Sequence, residues 1–195
     1  MSLREEIFKV SKDLLIKDGF SKMSMRRIAR EANVSATSIY LHFTNKDDLL
    51  LALIEESIEN LKGALMEVVD GSKSFITQLR DLAEAYVRFA LENPQEYEII
   101  YIVRPEEMPE YPKEKFRNIR TTYGLLADMI EEAHKKENVD EDDPLIAAYT
   151  FWAQLHGVVS VILNKRIDNR IPQDRFIAQA IDHIVQGFII QQTPA

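Results

Sequence analysis

The sequence predicts an all-α protein, and three observations carry that reading. Apolar residues recur three and four positions apart in one segment after another, the period of a helix buried along one face. Glycine and proline, at 6 and 7 of 195 residues, are too scarce to break such segments often. Residues that cap helices stand where the periodic runs begin and end, as Ser2, Gly19 and Asn45 do. Hydrophobic residues make up 46% and charged residues 29%, so a chain of this length buries a real core and is not disordered.

The first segment opens on Ser2 and Glu5, the spacing of a capping box, and runs as a helix to about Asp18. Ile7, Val10 and Leu14 form its apolar stripe, with Phe8 and Leu15 adjoining. Gly19 ends it as a left-handed cap, and Phe20 folds back over the last turn.

Ser24 to Phe43 reads as two short helices joined by a tight turn. Ile28, Ala29 and Ala32 put apolar groups on one side of the first. Asn33 tolerates the left-handed backbone of a sharp turn, and Val34 plugs it. Ser35 caps the second helix, in which Ile39 and Phe43 face inward. Ala36, Thr37, Tyr40 and Leu41 lie on its other sides. This is a helix-turn-helix, whose second helix can enter the DNA major groove.

Val34-Ser35, Ser38-Ile39-Tyr40, His42-Phe43, Lys46 and Asp48-Leu49-Leu50, taken with their spacing, resemble the TetR family of transcriptional repressors over about the first fifty residues. Two positions depart from the family pattern. Asn33 stands where the turn usually has glycine, and Thr37 precedes Ser38 where Gly or Pro is common. Thr37 bears on which bases are read, not on the fold. The resemblance implies that Ser38, Tyr40, His42 and Lys46 contact DNA. Lys46 at a helix start is unfavourable for the helix dipole, and a phosphate partner would explain it. For His42 a structural histidine beside Phe43 is the competing reading. Arg26, Ala36 and Thr37 are the candidate base readers: arginine can bridge guanine, and methyl groups can meet the thymine methyl. Ser35 completes the set. A plain solvated face is expected for at least one of Arg26, Arg27 and Arg30.

The net charge of −8 looks wrong for a DNA binder. Up to Leu50, however, nine Lys and Arg stand against seven Asp and Glu, a balance of +2. The remainder carries −10. Screening over about 8 Å in physiological salt makes the local balance the relevant one.

Asn45 caps a long helix from Lys46 to about Val69, with Asp47 and Asp48 in its first turn. Helices follow from about Lys73 to Glu92, Gln95 to Val103 behind Pro94, and Lys113 to about Glu137. A loop with three prolines spans 104–112, and an acidic loop spans 138–143. Pro144 then starts a strongly apolar helix to about Arg166. One stripe is Ala148, Phe151, Leu155, Val158 and Ile162; a second is Leu145, Tyr149, Trp152, His156, Val159 and Leu163. Two stripes predict burial on two sides. A membrane span is the rival reading, opposed by Gln154, His156 and Ser160 near the middle. Gly157 predicts a close helix crossing. The last helix runs from about Pro172 to Ile190.

The last two helices have surplus apolar surface, which predicts a second copy packed as a four-helix bundle. Phe151, Leu155, Val158, Ile162, Ile181, Ile184 and Phe188 are the candidate dimer interface. Trp152, His156 and Gly157 resemble a TetR C-terminal subgroup named for its Trp-His-Gly signature. In the family the middle helices enclose an inducer. Tyr86, Phe89, Tyr101, Phe116, Tyr123, Tyr149 and Trp152 are the aromatic candidates for such a site.

The expected organisation is a DNA-binding domain over 1–47 and a ligand-binding and dimerisation domain over 48–195. The expected partners are a double-stranded DNA operator, a small-molecule ligand and a second copy, with no membrane. There is no cysteine, which fits the cytoplasm, and no signal peptide is visible. No catalytic constellation, cofactor motif or metal-ligand spacing is found. A helical binding or scaffold protein without DNA contact is the alternative, and an enzyme stands third.

Overall fold

The computed structural model describes residues 2–101, 116–137 and 143–190, with side chains apart from those at 116–122, 136–137 and 189–190. Every regular element among them is helical. The helices are α1 (Leu3–Asp18), α2 (Met25–Glu31), α3 (Ala36–Tyr40), α4 (Lys46–Met66), α5 (Phe75–Glu92), α6 (Pro94–Tyr101), α7 (Phe116–Glu137), α8 (Pro144–Leu163) and α9 (Gln173–Ile190), with a 3-10 turn at Phe20–Lys22. Packing divides the chain into two compact units. One is Met1–Asn60 with Asn93–Arg117, and the other is Leu61–Glu92 with Asn118–Ala195. The expected loop at 104–112 lies outside the described residues.

In the first unit the capping box of α1 forms as the sequence predicts. Ser2 accepts from the Glu5 backbone at 3.3 Å, and the Glu5 carboxylate accepts from the Ser2 backbone at 2.9 Å. Gly19 ends α1 at φ 78°, ψ 163°. This is not the left-handed helical cap expected, but an extended region that is open essentially to glycine alone. Gly19→Ala is therefore expected to lose about 1–3 kcal/mol of stability from backbone strain. Denaturant unfolding of the two proteins checks this, and equal midpoints would refute it. The core of the unit gathers Ile7, Leu14, Ile28, Ile39 and Leu49, with the Phe8 and Phe43 rings stacked at 5.6 Å.

A polar cluster ties α1, α4 and α6 together. Lys12 on α1 reaches Glu56 on α4 at 2.9 Å and Glu96 on α6 at 3.0 Å. Asn60 donates to both oxygens of Glu96, at 3.1 and 3.0 Å, and Gln95 donates to Asp13 at 3.0 Å. Burial alone would lower the Lys12 pKa; the bonds to Glu56 and Glu96 and their charges outweigh it and leave the ammonium raised.

Two helix ends differ from the expected bounds. After Met66 the chain tightens, with Val68 bonding Leu65 and Val69 bonding Met66, so α4 stops about one turn early. α8 ends at Leu163 because Lys165 adopts φ 53°. Arg166 N–H then bonds Val161 at 2.9 Å and Lys165 N–H bonds Ile162 at 2.9 Å, the two bonds of a Schellman motif.

In the second unit α5 packs against α8 and α9, and α8 against α9. Asp143 caps α8 by accepting from Leu145 and Ile146 at 2.9 and 3.1 Å. Its first stripe is buried as predicted. The second is not: Leu145 is 51% and Tyr149 39% exposed, while Val159 is fully buried. The reason is that α5 and α9 fill only one broad side of the helix. The helix is long and apolar enough to cross a membrane, with mean hydropathy 1.5, yet it forms part of this packed core. Gly157 makes no close crossing within the chain, since a Cβ there would meet nothing within 4 Å.

Candidate nucleic-acid interface

Ser24 caps α2 by accepting from Arg27 N–H at 3.2 Å. The helix ends in a second Schellman motif. Asn33 takes φ 53°, its N–H bonds Arg30 at 3.2 Å, and Val34 N–H bonds Ala29 at 2.9 Å. That pair of bonds makes the turn of the helix-turn-helix, and asparagine does the work that glycine does more often. Ser35 then caps α3, accepting from Ser38 N–H at 3.0 Å. Ile39 and Phe43 are buried and hold α3 against the unit. Asn45 accepts from Asp48 N–H at 2.8 Å and Asp48 from Thr44 N–H at 2.9 Å, starting α4.

This leaves Arg26, Ser35, Thr37, Tyr40 and His42 exposed, with Ala36, Ser38 and Lys46 half-buried. Tyr40 is 53% exposed, and the His42 ring lies 6.3 Å from that of Phe43. Lys46 has a partner the sequence did not reveal. Its ammonium donates to the Phe20 carbonyl at 3.2 Å and sits 4.0 Å above the Phe20 ring centre. An ammonium has three donors, so these contacts aim the group without exhausting it. Arg27 is a structural arginine, paired with Asp18 and bonded to the Lys22 carbonyl at 3.4 Å. Arg30 pairs with Glu31 at 3.1 Å on the surface. Leu41, just past the end of α3, is 80% exposed.

The aromatic candidates are scattered. Tyr123 and Tyr149 stack at 4.4 Å, and Trp152 meets Tyr123 edge-on at 5.3 Å. His156 tilts against Trp152 at 5.2 Å. An open groove of about 620 Å³ runs past Leu145, Ile146, Tyr149 and Trp152. Tyr86 and Phe89 are instead buried in α5. Tyr101 belongs to the first unit, against Tyr97 at 5.0 Å. The Phe116 side chain lies outside the described residues. Burial holds the His156 imidazole below its ordinary pKa of 6.5. The unfolded chain therefore takes up the proton first on acidification, and stability falls below about pH 6.5. His156→Gln is expected to flatten that acid limb, measured as melting temperature against pH; an unchanged limb would refute the assignment.

The seven candidate interface residues, Phe151, Leu155, Val158, Ile162, Ile181, Ile184 and Phe188, are all buried in the chain's own core. The outward side of α8 and α9 is carried by Ile146, Ala153, Gly157, Gln179 and His183. Gln179 and His183 side chains bond at 2.9 Å. Among the described residues no group of three or more His, Asp or Glu side chains could hold a metal.

A short capped helix joined to α2 by a tight turn and packed against it, its outward face exposed, is a helix-turn-helix. Residues 7–53 match the bacterial regulatory proteins of the tetR family, and residues 79–186 match the tetracyclin repressor-like C-terminal domain. The chain belongs to the TetR family of transcriptional regulators, which are not enzymes. It is 30% identical over 141 residues to an HTH-type transcriptional regulator of Haemophilus influenzae, covering 72% of this chain and 74% of the relative. Over 70 residues it is 34% identical to the HTH-type nicotine-responsive transcriptional repressor HdnoR of Paenarthrobacter nicotinovorans, 36% of each chain. A solved structure from Rhodococcus sp. RHA1 superposes with a TM-score of 0.79 at 27% identity, covering 96% of both chains.

Proposed function

We propose that this regulator is a repressor that binds a near-palindromic operator as a homodimer in the cytoplasm and answers to a small-molecule ligand. The observation that carries the reading is the exposed face of α3, held by Ile39 and by the Asn33 turn, beside the exposed Arg26. Residues 1–47 act as the DNA-binding domain and 48–195 as the ligand-binding and dimerisation domain. Arg26, Ala36 and Thr37 face bases, while Ser35, Ser38, Tyr40, His42 and Lys46 position the backbone. The dimer forms through the outward sides of α8 and α9, where Gly157 and Ala153 allow a close crossing by the second copy, and the seven buried apolar residues support that face from behind. Two recognition helices then meet successive major grooves about 34–36 Å apart. A ligand that fits one arrangement of the second domain better shifts the equilibrium by that difference in affinity and tilts α4. Tyr123 of α7 packed against Tyr149 and Trp152 of α8 favours an apolar or aromatic ligand. This reading keeps Trp152, His156 and Gly157 in the Trp-His-Gly subgroup, with no membrane partner.

Tyr40→Phe and Lys46→Ala are expected to weaken operator binding by about tenfold each, the worth of a charged hydrogen bond. Lys46→Ala should also reduce the salt slope by about one. Sedimentation should show the dimer unchanged. Wild-type operator affinity in both variants would sink the assignments.

A further inference from the structure

We propose that α3 reads thymine 5-methyl groups, with Leu41 as a specificity-determining residue. The inference rests on the reading that α3 enters the major groove. Its outward residues are Ala36, Thr37, Tyr40 and Leu41. None of them carries the amide, guanidinium or carboxylate that chelates a base edge. The two serines of the helix are engaged with each other: Ser35 Oγ and Ser38 Oγ lie 2.7 Å apart, and Ser35 Oγ also accepts from Ser38 N–H. What α3 offers a groove is therefore a phenol and methyl groups.

Leu41 extends that apolar surface. Its N–H bonds the Thr37 carbonyl at 3.1 Å, and its backbone stays helical at φ −70°, ψ −22°. It thus continues the helix one turn past Thr37 on the same side, as residues four apart do. At 80% exposure it is the most exposed large apolar side chain among the described residues. The surroundings choose the occupant. His42 follows Leu41 directly and is exposed, Arg26 is exposed on α2, which packs against α3, Lys22 is exposed shortly before α2, and the first fifty residues are net positive. An apolar patch in a cationic setting suits the one apolar group that DNA displays in the major groove, the thymine methyl.

The test uses the full-length protein and the duplex recovered by selection from a random pool. Replacing single thymines of a half-site with deoxyuridine removes the methyl and leaves every hydrogen-bonding edge in place. At one or more positions per half-site affinity is expected to fall by about fourfold, the worth of one buried methyl. Leu41→Asn, at a side chain the fold does not use, should abolish the uracil effect at the position it faces and leave the melting temperature unchanged. Thr37→Ser, which deletes one methyl, should abolish the uracil effect at a neighbouring position. A palindrome bound with full affinity after every thymine is replaced, or a half-site without thymine, overturns the inference and leaves DNA recognition standing. Failure to enrich any sequence overturns the reading beneath it as well.

Discussion

Ile39→Ala is expected to lower the stability of the first unit by about 2–5 kcal/mol. Ile39 is completely buried, and removing three methyl or methylene groups leaves a cavity that surrounding helices close only in part. The location raises the cost above that of a generic core deletion. α3 has five residues, Ala36–Tyr40, far fewer than the roughly 12–15 that sustain a helix without tertiary help. Its position comes from the Ser35 cap and from burial of Ile39 and Phe43. Losing Ile39 should therefore unlock the whole outward face, and operator affinity should fall with stability. Denaturant unfolding and a binding titration on the same preparation decide it. A stability change under about 0.5 kcal/mol, the range of surface substitutions, would show that the packing is wrong.

Phe188→Ala is the second large effect, expected at about 3–5 kcal/mol. The Phe188 ring meets Phe75 of α5 edge-on at 6.2 Å and Phe151 of α8 edge-on at 5.8 Å. Edge-to-face pairs add about 0.5–1.5 kcal/mol each beyond area burial, so one substitution removes two such pairs. The location of the loss matters as much as its size. A core residue lowers the melting temperature equally at all protein concentrations. A residue at a seam between copies would shift the monomer–dimer equilibrium and make the loss grow on dilution. The burial of Phe188 predicts the first behaviour. Growth of the loss on dilution would return Phe188 to the dimer interface.

Much of the first unit was legible because its determinants are local. A hydroxyl two or three residues from an unpaired N–H, or an asparagine at the end of a helix, acts through the chain's own geometry. Ser2, Asn33, Ser35 and Asn45 could be read from their neighbours alone. The partners of the cations could not. Arg26 and Arg27 are adjacent and chemically identical, yet only Arg27 meets Asp18. Lys46 rests on Phe20, twenty-six residues back. These choices depend on which segments fold side by side.

The sequence by itself determined the all-α class, the helix-turn-helix and its turn, and the TetR family, because caps, periodicity and motif spacing are written along the chain. Only the tertiary structure decided which stripe of α8 is inside, that Leu41 stands in solvent, and that Phe151 and Phe188 serve the chain's own core. A hydrophobic period states which side chains share a face. What that face meets is set by the helices opposite, and α5 and α9 fill one side of α8 and leave Leu145 and Tyr149 open.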